Sequence, residues 1–250
     1  MARTIIAGNW KMNKNIEETE IFRKEFLAKL KDERLTCEAV IFPSYTLIAS
    51  LKGNGVFAVG AQNINPEASG AHTGEISTDM LKDFNVEYTL VGHSERRTIY
   101  GETDELINRK VKRALDVGIT PILCVGEDIN ERKAERAIEK VEFQIAAGFA
   151  GLTATRAKKV VIAYEPVWAI GTGLTATAEQ AEEMCFAIRK RMSKLYDSTV
   201  ADEVPVLYGG SVTAENTAEL LKMPNINGVL VGGASLNPEG FSQIVIVGNK

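Results

Sequence analysis

Val160-Val161-Ile162-Ala163-Tyr164-Glu165-Pro166-Val167-Trp168-Ala169-Ile170-Gly171-Thr172-Gly173 opens as a short apolar run rich in β-branched residues. Such a run suits a strand covered on both faces. It places one carboxylate, Glu165, where the run stops. Pro166 follows at once; it has no N–H to give a ladder and cannot continue a central strand. A segment with two glycines, Gly171 and Gly173, comes next. A carboxylate at the end of a buried strand is poorly hydrated, which disfavours its charged form and makes it a stronger base than a surface glutamate. A strand-end glutamate in an ion pair, followed by an ordinary turn, fits these residues equally well. The choice rests on what the rest of the chain brings beside it.

Working outward, the same unit recurs. Apolar runs at Thr4–Gly8, Ala39–Phe42, Val56–Ala61, Tyr88–Gly92, Pro121–Val125, Val204–Tyr208 and Gly228–Val231 read as strands. Between them lie helical patterns. Asn15 with Glu18 forms a capping box before the face Phe22, Phe26, Leu27 and Leu30, and Thr177 with Gln180 forms another. Ile107, Val111, Ala114 and Leu115 have helical spacing, as do Ala181, Met184, Cys185, Ile188, Met192 and Leu195. Further helices are expected towards Leu51, over Thr78–Phe84, over Ala134–Ala147, and from Ala214 and Pro238. The connection Gln62–Ser77 is long and irregular, the kind of loop that usually binds or interacts. Eight strands alternating with helices in 250 residues favour an α/β fold, one closed (β/α)8 barrel with a parallel sheet and outer helices, as a single domain over 1–250.

The composition excludes several classes. With 45% hydrophobic and 25% charged residues, a large core is expected and disorder is not. The net charge is −4 and no basic block occurs, so nucleic acid is a poor partner. Cys37, Cys124 and Cys185 are scattered, none in a CxxC pair, which suggests a reducing compartment and no metal framework. The N-terminal apolar run is too short for a signal peptide or a membrane span. A cytoplasmic protein is the expectation. No GxGxxG follows a strand and no Cys/His cluster has metal spacing, so no cofactor and no metal are expected.

Polar and glycine residues collect where the strands end: Asn9 and Lys11 after the first, His93 after the fourth, Glu165 after the sixth, Ser211 after the seventh, Gly232-Gly233 after the eighth. In a barrel these ends form one rim, where active sites are built. Each residue taken alone reads as ordinary loop chemistry; together they suggest more. Gly209-Gly210-Ser211 and Gly232-Gly233 allow backbone N–H groups to approach an anion closely. A short helix starting after Gly233 would add its positive end. His93 precedes Ser94-Glu95-Arg96-Arg97, which can open a helix whose positive end keeps the imidazole neutral. Lys11 beside Asn9 could steady a developing oxyanion, with Glu95 as its counter-ion. The combination suits proton abstraction next to a carbonyl in a small phosphorylated substrate.

Gly8-Asn9-Trp10-Lys11-Met12-Asn13, Val91-Gly92-His93-Ser94-Glu95-Arg96-Arg97, Ala163 to Gly173, Tyr208-Gly209-Gly210-Ser211-Val212 and Gly232-Gly233-Ala234-Ser235-Leu236 together resemble the motifs of the triosephosphate isomerase family, in order and over essentially the whole chain. The resemblance implies interconversion of dihydroxyacetone phosphate and D-glyceraldehyde 3-phosphate through an enediolate. It implies Glu165 as the proton shuttle, neutral His93 as the carbonyl-polarising group, and Asn9 and Lys11 as oxyanion support. Phosphate would be held by amides of Gly171, Ser211, Gly232 and Gly233. Pro166 to Ala176 would form a lid, latched by Tyr208 and Ser211 when closed, with Glu127 and Tyr164 meeting Trp168 when open. The resemblance further implies a homodimer in which the loop carrying Thr73 enters the partner near its Asn9 and Glu95. Leu174 and His72 depart from the family pattern, at the lid hinge and at the interface. Two other readings compete: a non-catalytic phosphosugar-binding barrel, which need not keep Glu165, His93 and Lys11 together, and a Schiff-base aldolase, for which no inward strand lysine is evident.

Overall fold

Strands that are apolar on successive residues need cover on both sides, and a closed barrel wrapped in helices provides it. The computed structural model describes residues 2–170 and 176–249. Its strands are β1 (Ile5–Asn9), β2 (Glu38–Phe42), β3 (Ala58–Ala61), β4 (Tyr88–Val91), β5 (Thr120–Val125), β6 (Val161–Tyr164), β7 (Val206–Tyr208) and β8 (Gly228–Val231). They pair in chain order, and β8 closes onto β1. Every pairing is parallel, as in the seam register Ile5↔Gly228 and Ala7↔Leu230. Alternate residues face opposite ways. Ile5, Ala7, Val40, Phe42, Leu90, Ile122, Val161, Ala163, Leu207 and Leu230 fill the barrel. Their neighbours Ile6, Ile41, Val91, Leu123, Ile162, Val206 and Val229 pack outward against the helices.

Among the described residues the helices are α1 (Ile16–Leu30), α2 (Ile48–Leu51), α3 (Thr78–Lys82), α4 (Ser94–Thr98), α5 (Asp104–Asp116), α6 (Ile129–Lys133), α7 (Ala137–Gly148), α8 (Ala154–Ala157), α9 (Ala178–Leu195), α10 (Ser198–Glu203), α11 (Ala214–Leu220) and α12 (Pro238–Gly248). Both expected capping boxes are formed, Asn15 with Glu18 at α1 and Thr177 with Gln180 at α9. The apolar face of α1 enters a ring cluster: Phe22 meets Trp10 edge-on at 4.8 Å, and Phe26 stacks on Phe241 of α12 at 5.3 Å. That cluster seats the start of the β1 rim loop, because the Trp10 indole N–H also donates to the Ser235 carbonyl at 3.1 Å.

Several boundaries differ from the sequence reading. The helix expected over Ala134–Ala147 is two helices, α6 and α7. Glu135 lies in the left-handed region, at φ 58. Its N–H reaches the Arg132 carbonyl, and the Arg136 N–H reaches back to Glu131. This is a Schellman ending, in which glycine is the usual residue; a glutamate there conceals the break. β3 starts at Ala58 rather than Val56, because the Asn54 side chain accepts from the N–H groups of both Val56 and Phe57 and prolongs the preceding turn. Leu195 does not line the buried face of α9; at the last turn it is 36% exposed. The short helices α8 and α10 carry too little periodicity to be read from the chain.

Gly126 follows β5 and lies directly under the backbone of Glu165. A Cβ there would sit 1.7 Å from the Glu165 carbonyl oxygen, which no side-chain adjustment relieves. Gly126→Ala is therefore expected to cost about 3 kcal/mol or more and to displace Glu165. Thermal unfolding together with an activity assay checks both effects.

Candidate active site

Glu165 leaves β6 with its N–H bonded to the Val125 carbonyl at 2.7 Å, so its backbone is fixed by β5. The residue is only 2% exposed. The Oε1 atom lies 3.0 Å from His93 Nε2, and Oε2 accepts from the Ser94 N–H at 3.0 Å. Burial pushes this carboxyl upward, as expected for a strand-end acid. The push is overcome by His93, the Ser94 amide and Lys11, and the net direction is below the ordinary carboxylate value. The simple expectation of a basicity raised by desolvation is thus corrected for the ligand-free protein: the carboxylate is already satisfied at rest.

His93 caps α4. Its Nδ1 accepts the Glu95 N–H at 3.2 Å, so that nitrogen carries no proton. Nε2 then bears the hydrogen and points it at Glu165. Burial works against imidazolium, while the charges of Glu165 and Glu95 favour it, and the net direction is upward. Adding a second proton at Nδ1 would break the bond to the Glu95 amide. The geometry supports the neutral Nε2–H form that the helix start predicts.

Lys11 reaches the same place from β1. Its Nζ lies 2.7 Å from Glu95 Oε1, the pairing expected from the sequence. Its backbone is left-handed, at φ 52. For a side chain other than glycine this conformation costs roughly 1–2 kcal/mol. It is held by Asn9, whose Oδ1 accepts the Lys11 N–H at 3.0 Å, and by Gln62, whose amide donates to the Lys11 carbonyl at 2.7 Å. Asn9 itself is buried at the end of β1. With its carbonyl oxygen engaged, its amide N–H groups remain the part suited to an oxyanion.

A cavity of about 370 Å³ joins Asn9, Lys11, Ser211, Gly232 and Gly233. A Cβ on Gly232 would lie 3.8 Å from Lys11 Cε, so the lysine stem runs past the glycine loop. The 3₁₀ turn Gly233–Leu236 begins at this cavity. The first N–H groups of such a turn have no partner within it, which suits an anion. Residues 209–212 and 232–236 contain no lysine or arginine; the fold brings Lys11 from β1 beside them.

Glu127, fully buried, is the hub of a neighbouring network. It accepts from the Trp168 indole at 2.7 Å and from the Tyr164 hydroxyl at 3.0 Å. Ser211 donates to the Ala169 carbonyl at 3.0 Å. These contacts hold the first part of the expected lid. Gly171, Thr172, Gly173 and Leu174 lie outside the described residues. Thr73 and His72 are exposed on the long loop before α3, apart from the pocket of their own chain. No group of three His, Cys, Asp or Glu suited to a metal ion occurs among the described residues.

Sequence reasoning had singled out all of these rim residues except Gln62, which has no motif of its own. Comparison with known proteins gives the family. The family model described as triosephosphate isomerase matches residues 4–247. The chain is 50% identical to the triosephosphate isomerase of Carboxydothermus hydrogenoformans, over 98% of each chain. It is 48% identical to that of Natranaerobius thermophilus, over all of this chain and 98% of the relative. With that of Dictyoglomus thermophilum the identity is 47%, over 98% of this chain and 99% of the relative.

Proposed function

The chain belongs to the triosephosphate isomerase family and is an isomerase, and we propose that it interconverts dihydroxyacetone phosphate and D-glyceraldehyde 3-phosphate through an enediolate, with Glu165 as the base and His93 as the electrophile. One observation carries this reading: the Glu165 carboxylate and the protonated His93 nitrogen are 3.0 Å apart, beside the Lys11–Glu95 pair and the Gly232 loop. A substrate carbonyl entering here takes the His93 Nε2–H bond from Glu165. The freed carboxylate removes a proton from the carbon next to the carbonyl and returns it to the former carbonyl carbon, while the hydroxyl proton passes to the former carbonyl oxygen by way of His93 Nε2. Negative charge building on oxygen meets His93, Lys11 and the amide of Asn9. Amides of Ser211, Gly232 and Gly233, with Gly171, hold the phosphate. Keeping water from the enediolate is the role this reading gives to the segment Pro166 to Ala176.

The same reading makes the protein a cytoplasmic homodimer. Ala71 to Glu75 are all exposed in the single chain, and Met12, next to Lys11, is 94% exposed. A second copy placing its Thr73 loop beside Asn9 and Glu95 would cover such a surface. The three cysteines are free and buried, in keeping with a reducing compartment. A phosphosugar-binding barrel without catalysis would need the glycine loops but gives no reason for the buried His93–Glu165 contact.

The test is a coupled assay of the purified protein with D-glyceraldehyde 3-phosphate, alongside Glu165→Gln and His93→Gln. Turnover by the native protein and a large fall, to a measurable residual rate, in both variants is the expected result. Phosphate-ester binding without turnover would favour the binding barrel. Sedimentation of the native protein tests the dimer.

A further inference from the structure

Arg97 of α4 does not line the cavity, yet it links the end of β4, which carries His93, to β5, the strand that fixes the Glu165 backbone. Its Nε donates to the Gly92 carbonyl at 2.7 Å, and this is the carbonyl bonded to the nitrogen of His93. Its Nη2 donates to the Cys124 carbonyl of β5 at 3.0 Å. Its Nη1 meets Asp104 Oδ1, at the start of α5, at 2.6 Å. One residue beyond Cys124, the Val125 carbonyl holds the backbone N–H of Glu165. One planar cation therefore spans from the peptide before the imidazole to the strand that fixes the carboxylate.

Gly92 shows how close this packing is. It is left-handed, at φ 71, and a Cβ on it would lie 3.0 Å from Arg97 Nη2 and 2.8 Å from Ile107 Cδ1. The guanidinium lies against the bare Cα. The β4 end is thus pinned between the cation and α5, and His93 follows with little freedom.

We propose that Arg97 is a positioning residue that sets the spacing between His93 and Glu165, acting through the backbone of β4 and β5 without meeting the substrate. The inference rests on the reading of His93 as the electrophile. Three acceptors in three directions demand the fixed fork of an arginine; a lysine offers a single point of charge. A loss of even about 1 Å in the alignment of reacting groups costs on the order of a hundredfold in rate.

The test is a double-mutant cycle on kcat and KM, with Arg97→Lys placed in the native and the His93→Gln backgrounds. In the native background kcat is expected to fall roughly tenfold to a hundredfold, with KM nearly unchanged because the phosphate is held by other loops. In the His93→Gln background the same substitution is expected to change kcat very little, since the group it positions is gone. An equal loss in both backgrounds would mean general loosening and overturn the role of Arg97 alone. Unchanged kcat for Arg97→Lys would overturn it as well. Full turnover by His93→Gln by itself would overturn the reading of His93, and the role of Arg97 with it. Should Arg97→Lys fail to fold, Asp104→Asn weakens the same fork at one anchor, and a smaller fall in kcat, again absent beside His93→Gln, is expected.

Discussion

Glu165→Asp is expected to lower kcat by about a hundredfold or more while leaving inhibition by inorganic phosphate almost unchanged. The substitution keeps the charge and retracts it by one methylene. Nothing in the surroundings can follow. The Glu165 N–H is tied to Val125, and Gly126 fills the space beneath its carbonyl. The retracted carboxylate loses reach both to His93 Nε2 and to a carbon-bound proton. On the proposed reading the phosphate is held by amides of Ser211, Gly232 and Gly233, which line a cavity that Glu165 does not, so ground-state binding of the anion has no reason to change. Steady-state kinetics with phosphate as a competitive inhibitor separates the two quantities. A variant with native kcat would remove Glu165 from the reaction.

Lys11→Ala is expected to reduce kcat/KM by roughly a thousandfold or more, since loss of one oxyanion donor alone costs about a hundredfold to a thousandfold and, on the proposed reading, this donor also carries positive charge towards the phosphate. Alanine retains a Cβ at a left-handed position, so the backbone is not relieved, and Asn9 and Gln62 still hold it. The expected loss is therefore chemical rather than a collapse of the loop. Circular dichroism should match the native protein, while the coupled assay shows residual activity only at high enzyme concentration. Substantial turnover by a folded Lys11→Ala would place the charge elsewhere.

Much of this was legible in the chain because it is local. Pro166 ends β6 wherever the strand lies, and Asn15 and Thr177 cap their helices through residues three positions away. The convergence at the rim was legible because a parallel barrel turns every strand end the same way. Other features depend on partners distant in sequence. The ion balance at Glu165 is set by Ser94, His93 and Lys11 together, and desolvation alone gave the wrong net direction. The left-handed backbone of Lys11 depends on Gln62, far along the chain. Arg97 sits in a basic pair beside Arg96, and only the folded chain shows that one of the two faces inward to Gly92 and Cys124. Glu135 breaks a helix with a residue that normally favours one.

The β1–β8 seam has a consequence for synthesis. Lys11 and the loop at Gly232 belong to opposite ends of the polypeptide and meet only when the ring is joined. A nascent chain halted before β8 emerges already contains His93 and Glu165, but its two edges are open and no cradle for an anion exists. On the proposed reading, tight capture of a phosphate ester thus requires the joined ring, and ligand-dependent protection from proteolysis should arise abruptly with β8.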